Sequence, residues 1–455
     1  MAAPLRVAVV GSGPAGFYAA GHLLDSGLEV EVDMLERLPT PWGLVRLGVA
    51  PDHPKIKAVS KAFEKIAAQP GFRFLGGVEV GRDLTQEDLV RLYDAVVYAV
   101  GAQSDRRMGI PGEDLPGSWA ATEFVAWYNG HPDFQELAFD LSGERAVVVG
   151  AGNVALDVVR MLALSEDEIG PTDTTDAAIG AILGSGLREI VMLARRGPAQ
   201  AAFTTPELKE LGELAEADVV VDPADLELDP ASEAALEHDT NARRNMEVLR
   251  EYATREPEGK RRRIVLRFAV SPVAILGEDR VEGIEIVRNR LVADDAGRVS
   301  AVATDEHETF LCGIVFRSVG YLGVELPGIP FDQARAVIPN DCGRVTGVPG
   351  LYCAGWIKRG PSGVIGTNKK DATETIELLL EDAQAGKLAR GDEASTAAAV
   401  DELLAAQGVE PVTYAGWESI DHAERTAGEP HGRPRVKLAT WDELRAAARR
   451  PTARP

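Results

Sequence analysis

The sequence predicts an α/β protein of two parallel-sheet domains, each built around a dinucleotide-binding loop, with one domain inserted into the other. Three observations carry this. The run Arg6 to Val10 leads into G-x-G-x-x-G at Gly11, Gly13 and Gly16, then into the helix-forming FYAAGHLL. In ERAVVVGAGNVALDVVRMLAL a second run leads into G-x-G-x-x-A at Gly150, Gly152 and Ala155. A third strand–glycine–helix pattern, GLYCAGWIKRGPSGVIGTNKKDATETIELLL, returns late in the chain. At 455 residues the chain exceeds one ordinary core. The expected division is therefore 1–105 and 325–455 for the first domain and 106–324 for the second. YAVGAQSD and RSVGYLG supply the crossings, and a surface helix and extended tail follow GWESI.

The first loop has the layout a Rossmann unit needs. Gly11 permits the tight turn, Gly13 lets backbone approach a pyrophosphate, and Gly16 lets the helix pack on the strand. The free N–H groups and positive dipole end of the helix then face the phosphates. The next apolar run, VEVDML, ends at Glu36, 20 residues past Gly16. An acid there accepts hydrogen bonds from the hydroxyls of an unphosphorylated adenosine ribose.

The second loop ends differently. Its helix is followed by an insert, SEDEIGPTDTTDAAIGAILGSG, which holds a short helix of its own, and then by the strand REIVML. At that strand's end stand Arg195 and Arg196. Paired guanidinium groups there complement a dianionic 2′-phosphate through charge-assisted bidentate hydrogen bonds. The second loop is thus expected to hold NADP(H). The acidic stretch that follows, Leu208 to Asp239, reads as surface.

Two nucleotide units in one chain imply two cofactors that exchange electrons, and a flavin is the natural acceptor of hydride from a nicotinamide. The late glycine-rich entry, Gly363-Val364-Ile365-Gly366, offers backbone amides to a flavin nucleotide before a helix that begins near Thr367. Composition agrees with a folded protein, with 45% hydrophobic and 26% charged residues. The net charge of −23 argues against nucleic-acid or anionic-membrane partners. No apolar stretch is long enough for membrane insertion, and MAAPL runs directly into a strand, so a cytoplasmic location is expected. Cys312, Cys342 and Cys353 are 30 and 11 residues apart, spacing that excludes a CxxC dithiol, a zinc quartet or a self-contained iron–sulfur site.

Several long motifs resemble the adrenodoxin reductase family of NADPH–ferredoxin reductases, its actinobacterial members above all. They are VVGSGPAGFYAA, LPTPWGLVRLGVAPDHPKIK, GAGNVALD, ARRGPAQAAFTTPELKEL and AGWIKRGPSGVIGTNKKDA. The resemblance implies a glutathione-reductase-like FAD domain interrupted by an NADP domain. It implies FAD at Ala15, Glu36, Leu44, Val80, Trp356, Gly363, Val364 and Ile365. It implies NADP⁺ at Gly152, Asn153, Val154, Arg195, Arg196, Glu207 and Gly363. In this family His53 and Glu210 are candidates for proton handling at the flavin. Pro206 departs from the longer residue often found beside the glutamate, which puts the first turn of that helix in question.

The partner this implies is a ferredoxin-type iron–sulfur protein, generally acidic. Asn241 to Val270 contains nine Lys or Arg against four Glu. The expected docking patch is Arg243, Arg244 and Arg250, with Lys358 and Arg359 beside the flavin loop. Three rivals are distinguishable. A flavin monooxygenase needs an FxGxxxH segment, which does not occur. A glutamate-synthase small subunit needs an amino-terminal cysteine cluster, and residues 1–100 contain no cysteine. An NADPH-sensing flavoprotein without catalysis is separated only by assay.

Overall fold

Runs of valine and isoleucine buried on both faces build two parallel sheets, one in each of two units. The structure is a computed structural model describing residues 4–294, 297–363, 365–388 and 396–450. One unit comprises residues 1–49, 53–104 and 320–455, and the other comprises 50–52 and 105–319.

The first unit holds a seven-stranded sheet. Its order is Asn340–Asp341, Arg344–Val345, Leu351–Cys353, Ala95–Tyr98, Leu5–Val10, Val30–Glu36 and Phe72–Gly76. The five strands from Leu351–Cys353 onward are parallel. Alternation along Leu5–Val10 sends Val7 and Val9 to one core and Ala8 and Val10 to the other, the pattern of a sheet covered on both faces. Helices Pro14–Leu24 and Ile365–Gln384 cover the first face. The latter begins at Ile365, two residues ahead of the sequence expectation.

The second unit is a three-layer β/β/α arrangement. Its six parallel strands run Ser118–Ala120, Ile314–Arg317, Arg145–Val149, Glu189–Leu193, Arg262–Arg267 and Ala217–Val221. Ala146 and Val148 face the helical layer. Val147 and Val149 face a three-stranded antiparallel sheet of Val270–Leu276, Gly283–Ala293 and Val299–Leu311. The insert after the second loop forms helices Glu166–Ile169 and Asp176–Leu183.

Two surface expectations are corrected. The acidic stretch from Leu208 contains the edge strand Ala217–Val221, and Leu208, Leu211 and Leu214 are buried. Acidic residues lie between apolar ones, so composition concealed the alternation. The segment after GWESI carries many exposed residues, as a surface helix and tail would, but it is tied into the first unit at Glu424 and Lys437, which are buried. Just ahead of it, Trp417 and Ile420 of GWESI share a buried face of helix Tyr414–Gly428.

Candidate dinucleotide-binding sites

In the first unit, internal packing accounts for two of the three motif glycines. A Cβ on Gly11, whose φ is +102°, would lie 2.6 Å from the Ala99 carbonyl oxygen, and one on Gly16 would lie 2.0 Å from that of Gly11. A Cβ on Gly13 would meet nothing within 4 Å. The middle glycine is thus free of internal constraint and opens space where a pyrophosphate can approach. It also caps helix Pro14–Leu24 without a side-chain acceptor, so the first N–H groups stay available to an anion.

Of the other expected FAD residues, Glu36 and the Gly355–Trp356 turn lie against this loop. Glu36 ends its strand and accepts from Ser12 N (3.0 Å), Ser12 Oγ (2.6 Å) and Leu38 N (3.0 Å). Those bonds fix the carboxylate beside the loop and leave it one lone pair, on Oε1. Leu44 is 48% exposed, and Val80 lies in the turn beyond strand Phe72–Gly76. A Cβ on Gly355 would touch Ala15 Cβ at 2.7 Å, which brings the Gly355–Trp356 turn against the start of the first helix. Trp356 stacks on Tyr321 at 5.5 Å between centroids, and its indole Nε1 is a buried donor without a partner among the described residues. Gly363 (φ +81°) and Ile365 form the entry to the long helix. Val364 lies outside the described residues.

The second loop repeats the logic. A Cβ on Gly150 would lie 2.2 Å from the Ser318 carbonyl oxygen, whereas one on Gly152 would meet nothing within 4 Å. Helix Asn153–Ala163 starts there, with no side-chain cap. Asn153 Oδ1 accepts from Thr204 N at 2.8 Å, and Ala151 O accepts from Ala202 N at 2.8 Å. The AAFTT segment is thereby docked beside the loop, next to Asn153 and Val154. Arg195 and Arg196 follow strand Glu189–Leu193, are both exposed, and carry guanidinium groups with no partner among the described residues. Their backbone is fixed, since Arg195 O accepts from Asn289 Nδ2 (2.8 Å) and Arg196 O from Ala269 N (3.0 Å).

One residue that motif reasoning passed over organises the acids of this unit. Arg160 is 2% exposed, and its guanidinium reaches four carboxylates. These are Asp52 (2.6 Å), Asp157 (2.7 Å), Glu207 (3.2 Å) and Glu210 (3.5 Å). Burial works against its charge, but Asp157, Asp52 and Glu207 outweigh that and hold its pKa above the ordinary guanidinium value. Glu207 and Glu210 share helix Thr205–Leu211, whose first turn accepts Pro206, so that departure from the family pattern does no damage. His53 follows Asp52 in the chain and caps the short helix Pro54–Lys57, its carbonyl accepting from Ile56 and Lys57 N–H.

Of the five residues expected in the docking patch, three are exposed and two are engaged within the protein. Arg243, Arg244 and Arg250 are exposed on helix Thr240–Thr254. Lys358 is not available, since it is 7% exposed and its ammonium lies 2.6 Å from Glu374 and 3.2 Å from Asp371. Arg359 is turned inward onto Ser362 O and Asn368 Oδ1. In the basic run, Arg262 is buried and Arg263 pairs with Glu189.

A model of the pyridine nucleotide-disulphide oxidoreductase family matches residues 5–194. NADPH-ferredoxin reductase FprA of Mycobacterium tuberculosis is 53% identical over 449 residues, covering 97% of this chain and 98% of its own. The mitochondrial NADPH:adrenodoxin oxidoreductase of Salvelinus fontinalis is 42% identical over 98% of this chain and 91% of its own. The chain belongs to the adrenodoxin reductase family. A solved structure from this family, Mycobacterium tuberculosis FprA in complex with NADPH, matches with a TM-score of 0.94 and 52% identity. The match covers 98% of this chain and 100% of that one, so the adrenodoxin reductase fold extends through both units.

Proposed function

We propose that the protein is a cytoplasmic NADPH–ferredoxin reductase, of the ferredoxin–NADP⁺ reductase class, that binds FAD in the first unit and NADP(H) in the second. The observation that carries this reading is the contrast between the two strand ends. Each follows a phosphate loop whose middle glycine is internally unconstrained, but one ends in a carboxylate and the other in two unpaired guanidiniums. A carboxylate suits ribose hydroxyls, and two guanidiniums suit a 2′-phosphate. The relatives' names, NADPH-ferredoxin reductase and adrenodoxin oxidoreductase, support the same pairing.

The residues present fit both groups. Gly13, Glu36 and the unpartnered Nε1 of Trp356 would receive FAD, with Ala15, Leu44, Val80, Gly363 and Ile365 around it. Gly152, Asn153, Val154, Arg195, Arg196 and Glu207 would receive NADP(H). Bound FAD supplies the conversion between a two-electron hydride donor and a one-electron acceptor. His53 and Glu210 would hold the proton that this conversion leaves behind. A ferredoxin-type iron–sulfur protein would dock on Arg243, Arg244 and Arg250.

The purified protein should be yellow, with FAD released on denaturation and bleaching on addition of NADPH. Glu36→Arg should weaken FAD binding by about tenfold or more, since a charge-assisted hydrogen bond contributes about 1.5–3 kcal/mol. Recovery of FMN alone would overturn the reading of the first loop, because FMN has no adenosine ribose.

Charge reversal of Arg243 and Arg244 tests the docking surface. Ferredoxin reduction should slow several-fold or more at low salt, and ferricyanide reduction, which needs no protein docking, should stay within about twofold. The wild-type ferredoxin rate should also fall with ionic strength, over a Debye length of about 10 Å at 0.1 M. Equal damage in both assays would place these arginines in the fold or in coenzyme binding instead.

A further inference from the structure

The turn Thr40–Gly48 lies directly on the first phosphate loop. Trp42 N donates to Ser12 O at 3.0 Å, and a Cβ on Gly43 would come within 2.9 Å of Gly13 Cα. Trp42 holds φ at +84°, a conformation that costs a bulky residue energy and persists only where surroundings enforce it. Its indole Nε1 is buried without a partner among the described residues. The turn continues into the one-turn helix Leu44–Leu47, which carries Leu44 and Arg46.

What enforces this turn comes from the far end of the chain. Arg46, 4% exposed, donates from both terminal nitrogens to Glu424, at 2.8 Å to one carboxylate oxygen and 2.5 Å to the other. Glu424 is fully buried on helix Tyr414–Gly428 and also accepts from Arg435 Nη1 (3.1 Å) and Leu438 N (3.0 Å). Lys437 Nζ reaches back to Arg46 O at 3.2 Å. Trp417 packs edge-on against Trp42 at 4.8 Å, and the Arg46 guanidinium lies over the Trp417 ring at 5.1 Å. Burial would raise the Glu424 pKa, but Arg46 and Arg435 more than reverse it, so the carboxylate stays charged. A buried ion pair is a poor source of stability compared with apolar packing of the same shape, but it specifies geometry.

We propose that Glu424 is a positioning residue of the FAD site, and that the carboxy-terminal segment from Tyr414 to Ala448 is a strap. It clamps the Trp42–Arg46 turn onto the phosphate loop through Arg46. FAD retention in the first unit then depends on a contact 378 residues away in sequence, while the NADP(H) loop of the second unit does not. This rests on the FAD reading of the first loop given above.

The test compares Glu424→Gln with the double variant Arg46→Met/Glu424→Leu in the full chain, stripped of flavin and titrated with FAD. The double variant removes both charges of the pair together, and Arg435 keeps its bond to Asp421, so only the Leu438 N–H loses its acceptor and the comparison stays valid if Glu424→Gln folds poorly. Flavin fluorescence quenching gives the FAD dissociation constant, and calorimetry gives NADP⁺ affinity. The expected result is FAD binding weakened about tenfold or more in both variants, with NADP⁺ affinity within about twofold of wild type. Saturating FAD should restore the visible spectrum. If the double variant folds and binds FAD like wild type, the strap is structural only and the proposal fails. A uniform loss of FAD and NADP⁺ binding overturns it equally, since that marks general unfolding. Wild-type protein that binds no FAD would instead remove the functional reading beneath it.

Discussion

Replacing Arg195 and Arg196 together with neutral residues should collapse the preference for NADPH over NADH by tenfold or more in kcat/KM. The backbone of both residues is held by Asn289 and Ala269, while neither side chain has a partner among the described residues. The exchange therefore removes ligand contacts and little else, and stability should change by no more than about 0.5 kcal/mol. One charge-assisted hydrogen bond is worth about 1.5–3 kcal/mol, or roughly 10- to 150-fold. Two guanidiniums on one phosphate share that phosphate's charge, so their losses will not simply add. NADH lacks the 2′-phosphate and should lose almost nothing. Steady-state kinetics with both coenzymes decide the matter. A wild-type enzyme indifferent between them, or a double variant with an unchanged ratio, would remove the 2′-phosphate from the role given to these arginines.

The place of Arg195 and Arg196 just past a strand end was legible in the sequence because what sets it is local. A strand, a glycine loop and a helix lie within a short window, and periodicity places the strand end. Glu36 was legible for the same reason. Lys358 and Arg359 were misread because their partners, Asp371, Glu374 and Asn368, lie on a helix entered through a glycine loop. Nothing in a basic dipeptide says that the next helix folds back on it. The carboxy-terminal segment failed similarly. DHAERTAGEPHGRPRVKL is polar enough for a tail, but its Glu424 and Lys437 both bond to Arg46, far away in sequence. Buried charge pairs at long sequence separation look the same as solvated charges until the fold brings them together.

Arg160 is the extreme case, since only its i, i+3 relation to Asp157 is visible in NVALDVVR. Asp52 is 108 residues away and Glu207 is 47 residues away. Arg160→Met should be among the most damaging single exchanges in the second unit. It leaves Asp52, Asp157, Glu207 and Glu210 without their shared guanidinium, and breaking a buried ion pair on one side costs about 3–5 kcal/mol. For a unit of this size, that lowers the melting temperature by roughly 6–20 °C. Arg160→Lys should recover only part of the loss, because one ammonium is a point charge and cannot fork to four carboxylates. The pH dependence follows from the sign of the shift. Folding raises the Arg160 pKa above its ordinary value, so its stabilisation is fully present below the unfolded value and is lost only as pH rises through the still higher folded one. The guanidinium therefore stays charged across any range in which the protein is handled, and its titration adds no pH dependence to the wild-type advantage between about pH 6 and 9. Melting curves of wild type, Arg160→Met and Arg160→Lys across that range test this. A loss below about 2 °C in Arg160→Met, or full recovery by lysine, would mean that the four acids do not depend on the guanidinium fork.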